Sequence, residues 1–261
     1  MYSLEHINYL KKLKKEKRII LFFQILIILL FIIIWQLLAD FNLINTFISS
    51  SPKEVLLTLI DLHKTNNLYQ HIFITVLETF VSFSLGTILG IIIATILWYK
   101  PRIYKIVEPY LTILNSLPKV ALGPIIIIWC GAGMKSIIFM ALLISLIITI
   151  INVYQGFIST DQEKVKLLKS LKATKYQIYK YLILPNSFSN IISALKINIS
   201  LTLIGVIMGE FLVSKSGIGY LIMYGSQVFN LDLVITGVII LCIVASLMYY
   251  AILFLEKKYC K

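Results

Sequence analysis

The chain predicts an all-α, polytopic membrane protein with six transmembrane helices. Three features carry that reading: 59% of its 261 residues are hydrophobic, the mean hydropathy is +0.91, and the lysines gather at the ends of long apolar runs. A soluble domain of this length needs far more polar surface, so its solvent is largely lipid. The formal net charge of +12 does not indicate nucleic acid, because no soluble portion remains to carry a basic groove.

Six runs are long enough to cross roughly 30 Å of hydrocarbon at about 1.5 Å per helical residue. They fall at 19–39, 72–98, 109–130, 136–155, 188–212 and 233–255. Residues 1–18 form a basic N-terminus and 19–261 a single transmembrane domain. The first run follows Lys11, Lys12, Lys14, Lys15, Lys17 and Arg18 and ends in Trp35-Gln-Leu-Leu-Ala-Asp40. A cleaved signal peptide would have a shorter apolar core closing on small residues, so this run is read as an uncleaved helix.

In the second run Ser82, Gly86, Gly90 and Ala94 recur every fourth residue, laying a groove of small side chains along one face. A neighbouring backbone can approach closely there. Gly205 and Gly209 repeat the spacing in the fifth. The third carries Pro118 and Pro124. A kink or break is expected in it, tolerable where protein or water satisfies the freed backbone groups.

Orientation follows from the loops. With the basic N-terminus inside, eighteen Lys and Arg lie on the inner side: six before the first run, three at 99–107, six at 158–186, and Lys257, Lys258 and Lys261. Only Lys53, Lys64, Lys135 and Lys215 lie outside. That bias puts both termini and residues 158–186 in the cytoplasm.

Glu78, Lys119, Lys196 and Glu210 fall within or near the hydrocarbon. Each costs about 3 kcal/mol if it faces lipid, so each should face the bundle interior or a wet cavity. Lys196 and Glu210 share a face of the fifth helix but stand about 21 Å apart, too far to pair. Two readings stay open. Two lysines and two glutamates can make two structural ion pairs. Alternatively the fifth helix lines a polar path, with Lys119, Lys196, Ser200, Thr202 and Glu210 as wall groups.

Cys130, Cys242 and Cys260 show no paired spacing, and His6, His63 and His71 have no ligand-type neighbours, so neither disulfides nor a metal site is expected. No nucleophile–base arrangement suggests catalysis. Gly131-Ala-Gly-Met-Lys-Ser136 lacks the adjacent Gly-Lys pair of a phosphate loop and is read as a tight outer turn. The outer segment 214–232, with Gly217, Gly219 and Gly225, is expected to hold a short helix and turns.

Residues 158–186 set Val165, Leu168, Leu171, Ile178 and Tyr181 against Lys164, Lys166, Lys169, Lys172, Lys175 and Lys180 at helical spacing. A helix break is expected near Ala173-Thr174. The segment is too polar to span. An amphipathic helix on anionic headgroups accounts for the charge, but not for a segment held between two spans and closed by a proline.

The chain resembles the membrane-spanning permease subunit of bacterial ATP-binding-cassette importers, in the branch for nitrate, sulfonate, taurine and bicarbonate. The likeness runs through Ser51-Pro52, Ser116-Leu-Pro-Lys-Val-Ala-Leu-Gly-Pro124, Trp129-Cys-Gly-Ala-Gly133, Leu171 to Pro185, Gly209-Glu-Phe-Leu212 and Gly217-Ile-Gly-Tyr-Leu-Ile222. The family loop reads E-A-A, three residues, G, nine residues, I-x-L-P. Here Lys166, Leu167 and Leu168 stand at the E-A-A, Lys172 at the glycine, and Leu182, Leu184 and Pro185 at the hydrophobic end.

The resemblance implies the type I importer permease fold and a bacterial inner-membrane location. It also implies a coupling helix in the cytoplasmic loop, whose contact set on an ATPase would be Leu171, Lys172, Ala173, Thr174, Lys175, Tyr176, Tyr179 and Pro185. Tyr176 and Tyr179 would be buried anchors, with Lys172 and Lys175 as rim charges. A homodimer of the permease, two ATPase subunits that bind ATP and Mg, and an extracytoplasmic substrate-binding protein complete the expected machine. This chain itself would carry no cofactor. The cargo would be a small anion, or else a thiamine-precursor pyrimidine or other small organic solute. A secondary transporter, the rival from another class, would show broken helices at matching positions of two inverted halves. Only one such helix is present.

Overall fold

The structure, a computed structural model, describes residues 4–65 and 67–259. Cys260 and Lys261, counted above, lie outside the described residues. Every regular element is helical: α1 (Leu4–Asp40), α2 (Thr46–Ser49), α3 (Pro52–Lys64), α4 (Asn67–Tyr99), α5 (Pro101–Ser116), α6 (Gly123–Cys130), α7 (Met134–Ile158), α8 (Gln162–Ser170), α9 (Lys175–Ile178), α10 (Leu184–Asn186), α11 (Phe188–Val213), α12 (Ile218–Gln227) and α13 (Leu231–Tyr259). Five of these, α1, α4, α7, α11 and α13, contain apolar stretches long enough to span a bilayer, and α5 with α6 forms a sixth, bent pair.

The bend corrects the expected third span of 109–130. The helix starts eight residues earlier, at Pro101, and its first segment ends at Ser116. The loop expected at 99–107 shrinks to Lys100, because Pro101 is well suited to the first turn of a helix. Pro109 sits inside α5, and the break falls at Leu117-Pro118. Leu117 takes extended backbone angles, as a residue before proline prefers. A 3-10 turn, Lys119–Leu122, leads into α6, and the two together stand at 87° to α5. Pro124, in the first turn of α6, starts a helix rather than ending one.

At the centre stands α7, packed against α4 on one side and α11 on the other. The small-residue stripes make this possible. A Cβ on Gly90 would lie 2.5 Å from Thr149 Cγ2, and one on Gly205 would lie 2.5 Å from Ala141 Cα. Gly86 backs onto Ser145 and Gly209 onto Ile137. Ser82 and Ala94 are fully buried in the same seam. Helices in lipid gain little from exclusion of water, so dispersion across such close contacts holds the bundle.

The outer elements are tied more lightly. Ser51 caps α3, its hydroxyl accepting from the Glu54 N–H, and α3 packs on α13. The most apolar part of α1 buries nothing against the rest of the chain. It is joined near its end, where the Lys53 N–H donates to Gln36 Oε1 and Ala39 is buried.

Candidate functional site

Two constructions stand at opposite ends of α4. The first is the basic segment between α7 and α11. Here α8 ends in a Schellman turn: the Ala173 N–H donates to the Leu168 carbonyl and the Lys172 N–H to that of Lys169. Such a turn needs a left-handed residue after the cap, and Lys172 fills it with φ 57°. Glycine is the residue that takes this conformation without a steric cost. Lys172 is also where the family pattern carries its glycine, so the turn survives although the residue does not.

The next helix restarts at once. Thr174 accepts from the Gln177 N–H, while Gln177 Oε1 accepts from the Thr174 N–H, a reciprocal capping box. The chain then widens into a π turn, Tyr179–Ile183, before Pro185 and α11.

The segment is fastened to the end of α4 by side chains. Tyr179 lies among Trp98, Tyr99 and Phe157, with its hydroxyl 2.9 Å from Thr95 Oγ1. Lys175 Nζ donates to the Tyr99 carbonyl at 2.5 Å and sits over the Trp98 and Tyr99 rings. A cation at a helix C-terminus meets both an unpaired carbonyl and the negative end of the helix dipole. The polar ends of Tyr179, which is half-buried, and Lys175, which stays exposed, are thus engaged within the subunit, and both set the loop's position.

The face left outward is Leu171, 70% exposed, with Tyr176 at 61% and Tyr181 at 69%, beside the exposed Leu167 and Lys172. Ala173 is half-buried, Thr174 is spent as the cap, and Pro185 opens α10. Below the loop lies a cavity of about 470 Å³ lined by Trp98, Phe157, Lys169 and Lys175 among others.

The second construction lies at the other end. Glu210 on α11 is 1% exposed and Glu78 on α4 is 3% exposed, and Glu78, one helical turn on from Thr75, faces the Glu210 carboxyl. Glu210 Oε1 accepts from the Thr75 hydroxyl at 2.6 Å, and Oε2 accepts from the Gly219 N–H at 2.5 Å. The Thr75 hydroxyl oxygen in turn accepts from the Ile218 N–H, and His71 Nδ1 from the Gly217 N–H. The His71 ring stacks on Tyr220. Gly217 has φ 114°, and a Cβ on it or on Gly219 would run into the Glu210 side chain. The expected outer helix is α12, and its entry turn is moulded on this carboxylate.

The four path candidates are therefore not brought together. Glu210 is enclosed within the subunit by Thr75, Gly217 and Gly219. Lys196 pairs at 2.8 Å with Glu256 of α13, not with Glu78 or Glu210. Lys119 Nζ donates to the Asn115 carbonyl at the bend. Ser200 is exposed on an apolar groove between α11 and α13, beside Leu203 and Met248. Sequence reasoning missed Glu256 because it lies one residue beyond the expected end of the sixth run.

A bundle of helices long and apolar enough to span a bilayer, with a stiffened, basic, aromatic-tipped loop at one end, is a multi-pass membrane protein. Residues 86–259 match the family described as the binding-protein-dependent transport system inner membrane component, and the chain belongs to it. It is a permease subunit of an ABC importer, a transport component that works with an ATPase and a substrate-binding protein. A probable ABC transporter permease protein of Haemophilus influenzae is 29% identical over 235 residues, covering 90% of this chain and 95% of that one. The putative aliphatic sulfonates transport permease protein SsuC of Bacillus subtilis is 26% identical over 230 residues, 88% of this chain and 83% of that one. The fold matches the inward-facing MetNI methionine ABC transporter with a TM-score of 0.68 at 18% identity, over 75% of this chain and 97% of that one.

Proposed function

We propose that two copies of this chain form the membrane path of an importer for a small anion of the sulfonate, taurine or nitrate type. Residues 158–186 lie on the cytoplasmic side in this reading and insert into ATPase subunits that bind ATP and Mg, and a binding protein delivers cargo from outside. Closure of the ATPases on ATP draws the two loops together and shifts the spans between inward- and outward-open states. Such a shift needs a contact whose free energy differs between the two states.

The observation that carries the docking role is the outward row Leu167, Leu171, Tyr176 and Tyr181 on a loop whose base is fixed by Lys175 and Tyr179. Large apolar and aromatic groups on a rigid base are what a partner's cleft can grip. The sulfonate class is supported by the relative SsuC.

Leu171→Ala combined with Tyr176→Ala, in the full chain co-expressed with its ATPase, is expected to abolish co-purification of the ATPase while membrane insertion stays intact. Undiminished co-purification would remove the docking role. Calorimetry of the cognate binding protein with an alkanesulfonate tests the cargo separately.

A further inference from the structure

Two carboxylates in contact, both almost wholly buried, cannot both stay ionised, because desolvation and mutual repulsion act in the same direction. Among the described residues no cation pairs with Glu78 or Glu210. Among the described residues the one salt bridge is Lys196–Glu256, on helices α11 and α13. The polar and titratable groups near the pair are Thr75 and His71 on α4 and Tyr220 on α12, with Lys215 lining the same outer crevice as His71. His71 Nδ1 already accepts the Gly217 N–H, so that nitrogen carries no proton for the pair.

The two acids are also unequal. Glu210 receives the Thr75 hydroxyl on one oxygen and the Gly219 N–H on the other, and two donors on one carboxylate favour placing the charge there rather than on Glu78. Glu78 Oε2 has no hydrogen-bond partner although the residue is buried. An ion there would go uncompensated.

We infer that Glu78 is a proton-binding site: it holds one proton and donates it in a hydrogen bond to ionised Glu210. That single proton fastens α4 to α11 and, through Gly217–Gly219, to α12. The outer hairpin then travels with the α4–α11 pair as one body. This inference stands on the contacts within one subunit and is independent of the cargo and of the docking loop.

Glutamine is the test residue, since its neutral amide can both donate and accept as a protonated carboxyl does. In the purified, full-length transporter, Glu78→Gln should keep the melting midpoint within roughly 2 °C of the parent. It should also remove a protonated-carboxylic-acid C=O band from the infrared difference spectrum. Glu210→Gln should lower the midpoint by more than about 5 °C, because the Thr75 O–H and the Gly219 N–H, which bond separate carboxylate oxygens, then compete for a single amide oxygen. If Glu210→Gln yields no folded protein, the Glu78→Gln melt and infrared band decide the matter alone. The inference is overturned if Glu78→Gln leaves the infrared spectrum unchanged or destabilises as much as Glu210→Gln does. A parent midpoint that rises with added Na⁺ or K⁺ would also sink it, since a metal ion would then be balancing two carboxylates.

Discussion

The two ends of α4 are fastened by opposite means. At the Tyr99 end the ties are polar tips on long side chains, Lys175 and Tyr179, laid over an aromatic surface that solvent still reaches. At the Thr75 end the ties are short, buried and convergent on one carboxylate, with glycines carved around it. The first kind of joint holds a loop while leaving its outer face unspent. The second leaves nothing over for a partner. Exposure, rather than the number of contacts, separates the proposed docking element from a clamp.

That contrast can be broken most sharply at Gly219. A Cβ there would lie 2.7 Å from Glu210 Oε2 and 2.9 Å from Glu210 Cβ. Gly219→Val should therefore destabilise by about 3 kcal/mol through overpacking, seen as loss of monodisperse protein in size-exclusion profiles. At the other end Tyr179→Phe keeps the ring and removes the hydroxyl bonded to Thr95. A loss of about 1 kcal/mol is expected, with faster amide exchange confined to 164–184 and folded yield unchanged. The smallest effect has the opposite sign. Lys172→Gly relieves a left-handed residue, which favours the folded loop by roughly 1 kcal/mol, but it also loosens the unfolded chain, which offsets part of that. A net gain of a few tenths of a kcal/mol should slow exchange at Lys172 and Ala173. Faster exchange there would mean that the lysine side chain, not the backbone angle, sets the turn.

Much of the architecture was legible because lipid imposes simple demands. Long apolar runs give spans, and every predicted run lies within helical structure, interrupted only at 117–118, although the helices of the first and third runs start well before the apolar stretch, at Leu4 and Pro101. Pro118 signalled its break, but Pro124 read the same way in sequence and does the reverse, since the effect of a proline depends on where in a helix it falls. The stripes of glycine announced close approach without naming α7 as the helix they approach.

The charges were harder. Opposite signs invite pairing on paper, yet Glu78 and Glu210, separated by 132 positions, meet each other, and Lys196 meets Glu256. Only the crossing of α4 with α11, set by packing, brings the two acids together. Tyr176 and Tyr179 share a helical face by spacing alone. The π turn that begins at Tyr179, and the Trp98–Tyr99 surface waiting beside it, draw one ring inward and leave the other out.

The lightly held α1 carries its own consequence. A segment whose apolar stretch has no buried residue in its subunit is constrained more by bilayer thickness and oiliness than by shape. Its residues can drift among leucine, isoleucine and phenylalanine over evolutionary time with little penalty. The glycines that face α7 have no such latitude, since a Cβ on any of them would meet its atoms, so one chain holds both a passage open to substitution and one closed to it.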